Sequence, residues 1–239
     1  MRDVIDSHTH SIASGHAYST IHEMAATAAE KGIKVLGITD HAMAMPGTAH
    51  EYHFMNMKVL PRKMYGIEVL FGSEVNIIDY SGNVDMEEYL LRQMDVVVAS
   101  LHIPCIKPGT KEQNTAAYIG AMKNPYVNII GHPDDSRYAV DYHRVVLVAK
   151  EQEILIELNN SSLRPSGVRE NPIPNDVELL LYCKKYRVPI ILSSDAHCQE
   201  EIGDHTLAQI LLESVEFPED LVVNRSVAEY KKYINCFKG

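Results

Sequence analysis

The chain carries Asp6-Ser7-His8-Thr9-His10 near its start and Ser194-Asp195-Ala196-His197 near its end, each after a short apolar run, Val4-Ile5 and Pro189 to Leu192. In an extended strand, residues two apart point to the same side, so His8 and His10 can converge on one ion, as can Asp195 and His197 on one cluster. The arrangement recurs between them. Val35 to Thr39 leads to Asp40-His41, Ile67 to Ser73 to Glu74, Val96 to Leu101 to His102, and Val127 to Gly131 to His132, while His16 lies in the loop after the first run. Seven imidazoles and two carboxylates, from Glu74 and Asp195, therefore belong at one end of a strand-and-helix scaffold. Such a set suits zinc, manganese or iron better than calcium or magnesium, which take oxygen ligands. A lone histidine is usually an ordinary surface or core residue, but a packed core gives no reason for polar residues to recur at six separate strand ends. Nine ligands also exceed what one ion can use, so the pattern reads as a multinuclear metal centre. Ions held there supply a water that becomes a hydroxide nucleophile near neutral pH, at a pKa of about 7 in favourable zinc sites, and a clamp for phosphoryl oxygens.

Those strands need helices between them. Ser19 or Thr20 can cap a helix in which Ile21, Met24, Ala25 and Ala28 recur at helical spacing up to Gly32, and further helices are expected near Asp85 to Met94, Asn114 to Lys123, Asp141 to Gln152, Asp176 to Tyr186 and His205 to Ser214. The segment from Ala42 to Lys63 reads as a lid-like loop. Near-continuous apolar strands alternating with helices predict an α/β fold with a parallel sheet buried on both faces. Seven such units close into a barrel, whose chemistry belongs at the C-terminal strand ends. With no linker, low-complexity run or repeat, residues 1–239 are expected to form one domain. Met1-Arg2-Asp3-Val4 enters the first strand at once, which leaves no room for a signal peptide, and no apolar run is long enough to span a bilayer, so a cytoplasmic location is expected. Cys105, Cys183, Cys198 and Cys236 lack metal or redox spacing and should be free thiols. Cys198 follows His197, but adjacent strand positions face opposite ways, which points it off the metal.

His8-x-His10, His16, Thr39-Asp40-His41, Glu74, His102, Gly131-His132-Pro133 and Ser194-Asp195-x-His197 together resemble the PHP (polymerase and histidinol phosphatase) superfamily. Within it, His16-Ala-Tyr-Ser-Thr, Glu157-Leu-Asn-Asn-Ser-Ser162 and Ser193-Ser-Asp-Ala-His197 look most like the YcdX-type probable phosphatases. The resemblance runs along nearly the whole chain and implies a distorted (β/α)7, TIM-like barrel with three divalent ions, zinc first, with manganese or iron as alternatives. It apportions His8, His10, Glu74 and Asp195 to the first ion, Glu74 as a bridge with His102 and His132 to the second, and His16, His41 and His197 to the third. Asp195 would also steer the proton of the attacking water.

The formal net charge of −10 argues against a nucleic-acid surface, which normally presents a basic patch. It does not argue against a small phosphate ester, because bound ions dominate local electrostatics. Arg137, Arg164 and Arg169 lie on segments leading off the metal face and are the candidates to grip such a substrate. His50 and His53, three apart after His41, could help from the rim. His22, His143 and His205 read as exposed polar residues at helices. Asp6, Asp40 and Glu157 are suited to orienting ligand imidazoles or tying down strands, and Asn159 and Asn160 to binding substrate or a nearby water. The favoured function is a phosphatase acting on a small-molecule phosphate monoester. A PHP-type phosphodiesterase or nuclease is the second reading, a metal-dependent amidohydrolase the third, and a non-enzymatic metal-binding protein the last. No membrane partner is expected, and a homo-oligomer is compatible with everything above.

Overall fold

The computed structural model describes residues 3–237. Seven parallel strands follow one another: β1 (Ile5–Asp6), β2 (Val35–Ile38), a third broken in two, β6 (Val97–Ser100), β7 (Ile129–Ile130), β8 (Leu155–Asn159) and β9 (Ile190–Ser193). The broken strand is β4 (Ile67–Phe71) and β5 (Ser73–Asn76), and a short antiparallel β3 (Lys63–Met64) folds back on β4. Two sheets result, ordered β1-β2-β4-β3 and β5-β6-β7-β8-β9. Gly72 is the joint. A Cβ there would lie 1.8 Å from the Val96 carbonyl oxygen, so only glycine lets the chain leave β2 and join β6 at this distance.

The ring is knit above the sheets by isolated bridges, His41 to Glu74 and Thr9 to Ala196. Between β1 and β9 no continuous ladder forms. Instead the buried Asn224 stands in for a strand: its amide nitrogen donates to Ile5 O at 3.0 Å and Leu192 O at 2.7 Å, and its Oδ1 accepts from Leu192 N at 2.7 Å. The fold is thus a distorted TIM-like barrel, with the expected seven strands and two departures, the Gly72 break and the β3 hairpin.

Helices α1 (Ile21–Glu30), α4 (Lys111–Met122), α5 (Tyr142–Glu151), α6 (Pro172–Tyr186) and α7 (Thr206–Ser214) cover the outside. Thr20 and Glu23 form a capping box at α1, as Thr110 and Gln113 do at α4. Helix α6 begins at Pro172, earlier than the apolar spacing suggests, because proline is tolerated where the first-turn N–H groups are unpaired anyway. The Asp85 to Met94 segment shrinks to one turn, α3 (Glu88–Leu91), while the lid-like segment contains a short helix, α2 (Glu51–Asn56). A last turn, α8 (Val227–Lys231), follows Asn224. Among the described residues, no helix is long and apolar enough to cross a membrane.

Strand alternation sorts the core into two clusters. Outward residues such as Leu36, Val69, Val97, Ile156 and Leu192 pack under the helices. Inward residues Ile5, Val35, Leu70, Val98, Ile129, Leu155 and Ile191 fill the ring, closed below by Val223, Tyr230 and Ile234. Two residues further along the same inward columns the character changes: Leu155 is followed by Glu157 and Asn159, Val98 by Ser100 and His102, Ile191 by Ser193 and Asp195. The strand period that packs the barrel therefore also delivers polar groups to its upper end.

Candidate metal centre

Glu74 is the hub of that end. It is about 1% exposed, and its Oε1 lies 2.8 Å from His132 Nε2 and 3.2 Å from His102 Nε2. Its Oε2 lies 2.8 Å from His41 Nδ1, 3.3 Å from His8 Nε2 and 3.5 Å from His10 Nε2. Asp195 Oδ1 closes the other side, 3.2 Å from His10 Nε2. His16 and His197 complete the cluster, with ring centroids 4.9 Å apart and His41 5.0 Å from His16. Three groups have ligating atoms within 4.8 Å of one another: His8-His10-Glu74, His41-Glu74-His102 and His10-His41-His197. Cys198 is in none of them, and all four cysteines are unpaired.

Two of the positions need unusual backbone. His132 and Asp195 have φ of 28° and 52°, conformations that cost a non-glycine residue of order 1 kcal/mol and recur at functional sites. Glu157 holds the first by accepting from His132 N at 2.7 Å, and His8 O holds the second by accepting from Asp195 N at 3.0 Å.

The surrounding hydrogen bonds test whether this is a cation site. His8 Nδ1 donates to Glu157 Oε1 at 2.7 Å. His10 Nδ1 lies 3.0 Å from Ser14 Oγ, whose own proton goes to Asp40 at 2.7 Å, so the imidazole must be the donor. With both Nδ1 atoms protonated, the two Nε2 atoms face each other 3.1 Å apart, an arrangement that needs a proton or a metal cation between them. His102 obeys the same logic: Asn76 uses its amide N–H groups on Ala42 O and Asp85, so its Oδ1 accepts from His102 Nδ1 at 2.7 Å and leaves Nε2 free. His41 Nδ1 and Glu74 Oε2 are buried and, although 2.8 Å apart, are not aligned for a hydrogen bond with each other, and neither makes one elsewhere. These residues fit divalent metal.

Electrostatics agrees. Burial pushes the Glu74 carboxyl up, but the imidazoles of His102, His8 and His41 outweigh it and hold the group well below the usual carboxylate range. Asp195 is likewise held low, by His8, His10 and Arg169 against burial. Burial lowers His10, His16 and His102 toward the neutral form that ligation requires. His8 goes the other way: Glu157, Glu74 and Asp195 overcome its burial and raise it, so positive charge is favoured at the spot where the two rings meet.

Of the arginines, Arg169 reaches the site, with Nη2 3.2 Å from Asp195 Oδ2 and Nη1 3.0 Å from Ser162 Oγ. Arg137 turns to Asp135, and Arg164 turns away to Glu201 and Asp204. His53 sits behind the cluster, 3.2 Å from Asp40 Oδ2, and His50 is the N-cap of α2. Asn159 donates to Glu157 and Asp195, whereas Asn160 caps α7 through Leu207 N and Ala208 N. Sequence reading missed Ser14 and Asn76. Asn76 was findable, being two residues after Glu74 on one strand; Ser14 lies in an irregular loop and carries no such signal.

His205 is a correction. Expected on the surface, it is 2% exposed, 3.2 Å from Asp3 and 3.6 Å from Asp6, which anchors Ser194. Burial lowers its pKa, but the two aspartates raise it to about 9 from an ordinary 6.5. The resulting stability, at most about 3 kcal/mol, is fully present below about pH 6.5 and lost as pH rises through 9. Urea titrations across this window should show wild-type stability falling with pH, and a flatter profile for His205→Gln; parallel profiles would refute the role.

Above the cluster lies a cleft of about 500 Å³, lined by His16, His41, Glu74, His102, Asp195 and His197 together with Met45, Pro46, Pro104, Ser161, Val168 and Arg169. A parallel-stranded barrel with a buried imidazole and carboxylate cluster at its strand ends defines a metal-binding α/β-barrel protein. The chain belongs to the PHP domain family, whose profile matches residues 6–162. It is 48% identical over 234 residues to a probable phosphatase of Clostridium novyi (98% of this chain, 95% of that one) and 47% identical to a probable phosphatase of Acetivibrio thermocellus (98% and 96%). The fold is shared with histidinol phosphate phosphatase of Lactococcus lactis, solved with zinc, L-histidinol and phosphate: TM-score 0.60, 15% identity, 90% of this chain and 95% of that one covered.

Proposed function

We propose that this protein is a metal-dependent phosphatase that hydrolyses a small-molecule phosphate monoester at a trinuclear centre, with zinc as the first choice of metal and manganese or iron as alternatives. The observation that carries the reading is Glu74, one buried carboxylate whose two oxygens face different sets of imidazoles. A carboxylate can join two cations in this way and an imidazole cannot. His8, His10, Glu74 and Asp195 would hold the first ion, Glu74, His102 and His132 the second, and His16, His41 and His197 the third. The ions would supply an activated water and neutralise phosphoryl charge. Asp195, kept ionised, would accept a proton from water at the cleft, and Arg169 would hold phosphoryl oxygens. The names of the Clostridium and Acetivibrio relatives, and the zinc and phosphate of the Lactococcus neighbour, support the reading.

An amidohydrolase of the lysine-bridged kind is disfavoured because Glu74 occupies the centre and no lysine lines the cleft among the described residues. A nuclease is disfavoured because that lining holds one cation. We further propose that the whole chain is one catalytic domain and, since four unpaired cysteines suit a reducing compartment, that it acts in the cytoplasm. A chelator should abolish turnover of an aryl phosphate monoester, and zinc, manganese or ferrous iron should restore it. With matched aryl substrates, kcat/KM for the monoester should exceed those for the diester and the amide; the reverse order across these metals would sink the proposal.

A further inference from the structure

The cleft has two kinds of wall. Below are the imidazoles and carboxylates; the rest of the lining is Met45, Pro46, Pro104, Val168, Ser161 and Arg169. Four of these side chains are apolar, and Arg169 is the one cation among the described lining residues. An adjoining groove shares Pro104, Val168 and Arg169 and continues along Leu101 and Ile103. It also contains Arg137, but Nε and Nη2 of that guanidinium both donate to Asp135, at 2.9 and 2.5 Å, so its charge is already matched. Arg164 is matched by Glu201 and Asp204. A phosphoryl group at the cluster would meet concentrated positive charge with Arg169 beside it. Whatever extends beyond it meets an apolar wall with no unmatched cation.

Building on the phosphatase reading, we propose that the cleft selects monoesters bearing a single phosphoryl group on an alcohol with an apolar body and a neutral or cationic far end. An apolar body gains by covering Met45, Pro46, Pro104 and Val168. A second phosphate or a carboxylate would be drawn from water onto those same atoms without a counter-charge, on a protein of net charge −10, which is unfavourable.

A series sharing one carbon chain tests this with metal-loaded protein: propyl phosphate, 3-aminopropyl phosphate, 3-(phosphonooxy)propanoate and propane-1,3-diyl bisphosphate, with phenyl phosphate beside them. Phenyl, propyl and aminopropyl phosphate should each exceed the carboxylate and the bisphosphate by about tenfold or more in kcat/KM, as like-charge placement predicts. Val168→Lys should narrow the gap between propyl phosphate and the bisphosphate severalfold at unchanged metal content. If the monoesters are hydrolysed but the bisphosphate or carboxylate matches them, or if Val168→Lys leaves the gap as it was, the specificity inference falls and the phosphatase reading stands. If no member is hydrolysed, both fall together.

Discussion

Glu74→Gln should cut kcat/KM on an aryl phosphate monoester by roughly a thousandfold or more and lower the bound metal by more than one ion. Changes behind a single metal site cost about 10–100-fold in affinity or activity, and this one removes a shared ligand from two proposed sites at once. Gln keeps the shape but loses the charge, and its amide nitrogen cannot ligate. One of the two oxygen positions, facing His132 and His102 on one side and His41, His8 and His10 on the other, would present N–H groups to nitrogen lone pairs. By contrast His16→Ala should drain mainly the third site. Metal analysis alongside turnover separates the two variants. Full metal with near-normal rate in Glu74→Gln would show that Glu74 is no bridge.

Glu157→Ala should damage the protein twice over. Its carboxylate is buried and accepts from His8 Nδ1, His132 N and Asn159 Nδ2 at 2.7, 2.7 and 3.1 Å. Removing one partner of a buried charged pair commonly costs about 3–5 kcal/mol, because the other is left without compensation. His8 would also lose the bond that fixes its tautomer and His132 the contact that holds its left-handed backbone, so metal affinity should fall by about 10–100-fold. Chemical denaturation of metal-free protein reads the first effect and metal titration the second. Glu157→Gln, which retains an acceptor oxygen, should recover part of the stability and less of the affinity. Wild-type values for the alanine variant in both measurements would refute the role.

The convergence of the eight strand-end residues was legible because it depends on two regularities visible in a sequence, where apolar strands stop and which positions share a face. What lies beyond those regularities was not. Arg164 and Arg169 are five residues apart in one loop and read alike, yet one turns to Glu201 and Asp204 and the other to Asp195; the loop backbone decides, and no periodicity encodes it. His205 looked exposed because it opens a helix, but the Asp3 and Asp6 carboxylates that draw it inward come from the other end of the chain. The strand after Met64 was readable as one apolar run, whereas its change of partner at Gly72 is a matter of 1.8 Å of missing space beside Val96.

Asn224 also says something about time. Every strand of the ring, and every one of the nine candidate ligands, precedes it in the chain, yet its side chain joins Ile5 to Leu192 across the seam that carries His8 on one side and Asp195 on the other. Chains are made from the N-terminus, so a nascent protein possesses all of these residues before it possesses the one that joins the two strands beneath them. The lower part of the seam is then completed last in synthesis: a ribosome stalled just short of Asn224 would hold every candidate ligand and the upper contacts, Asp195 N to His8 O and Ser194 to Asp6, but not the amide that joins Ile5 to Leu192.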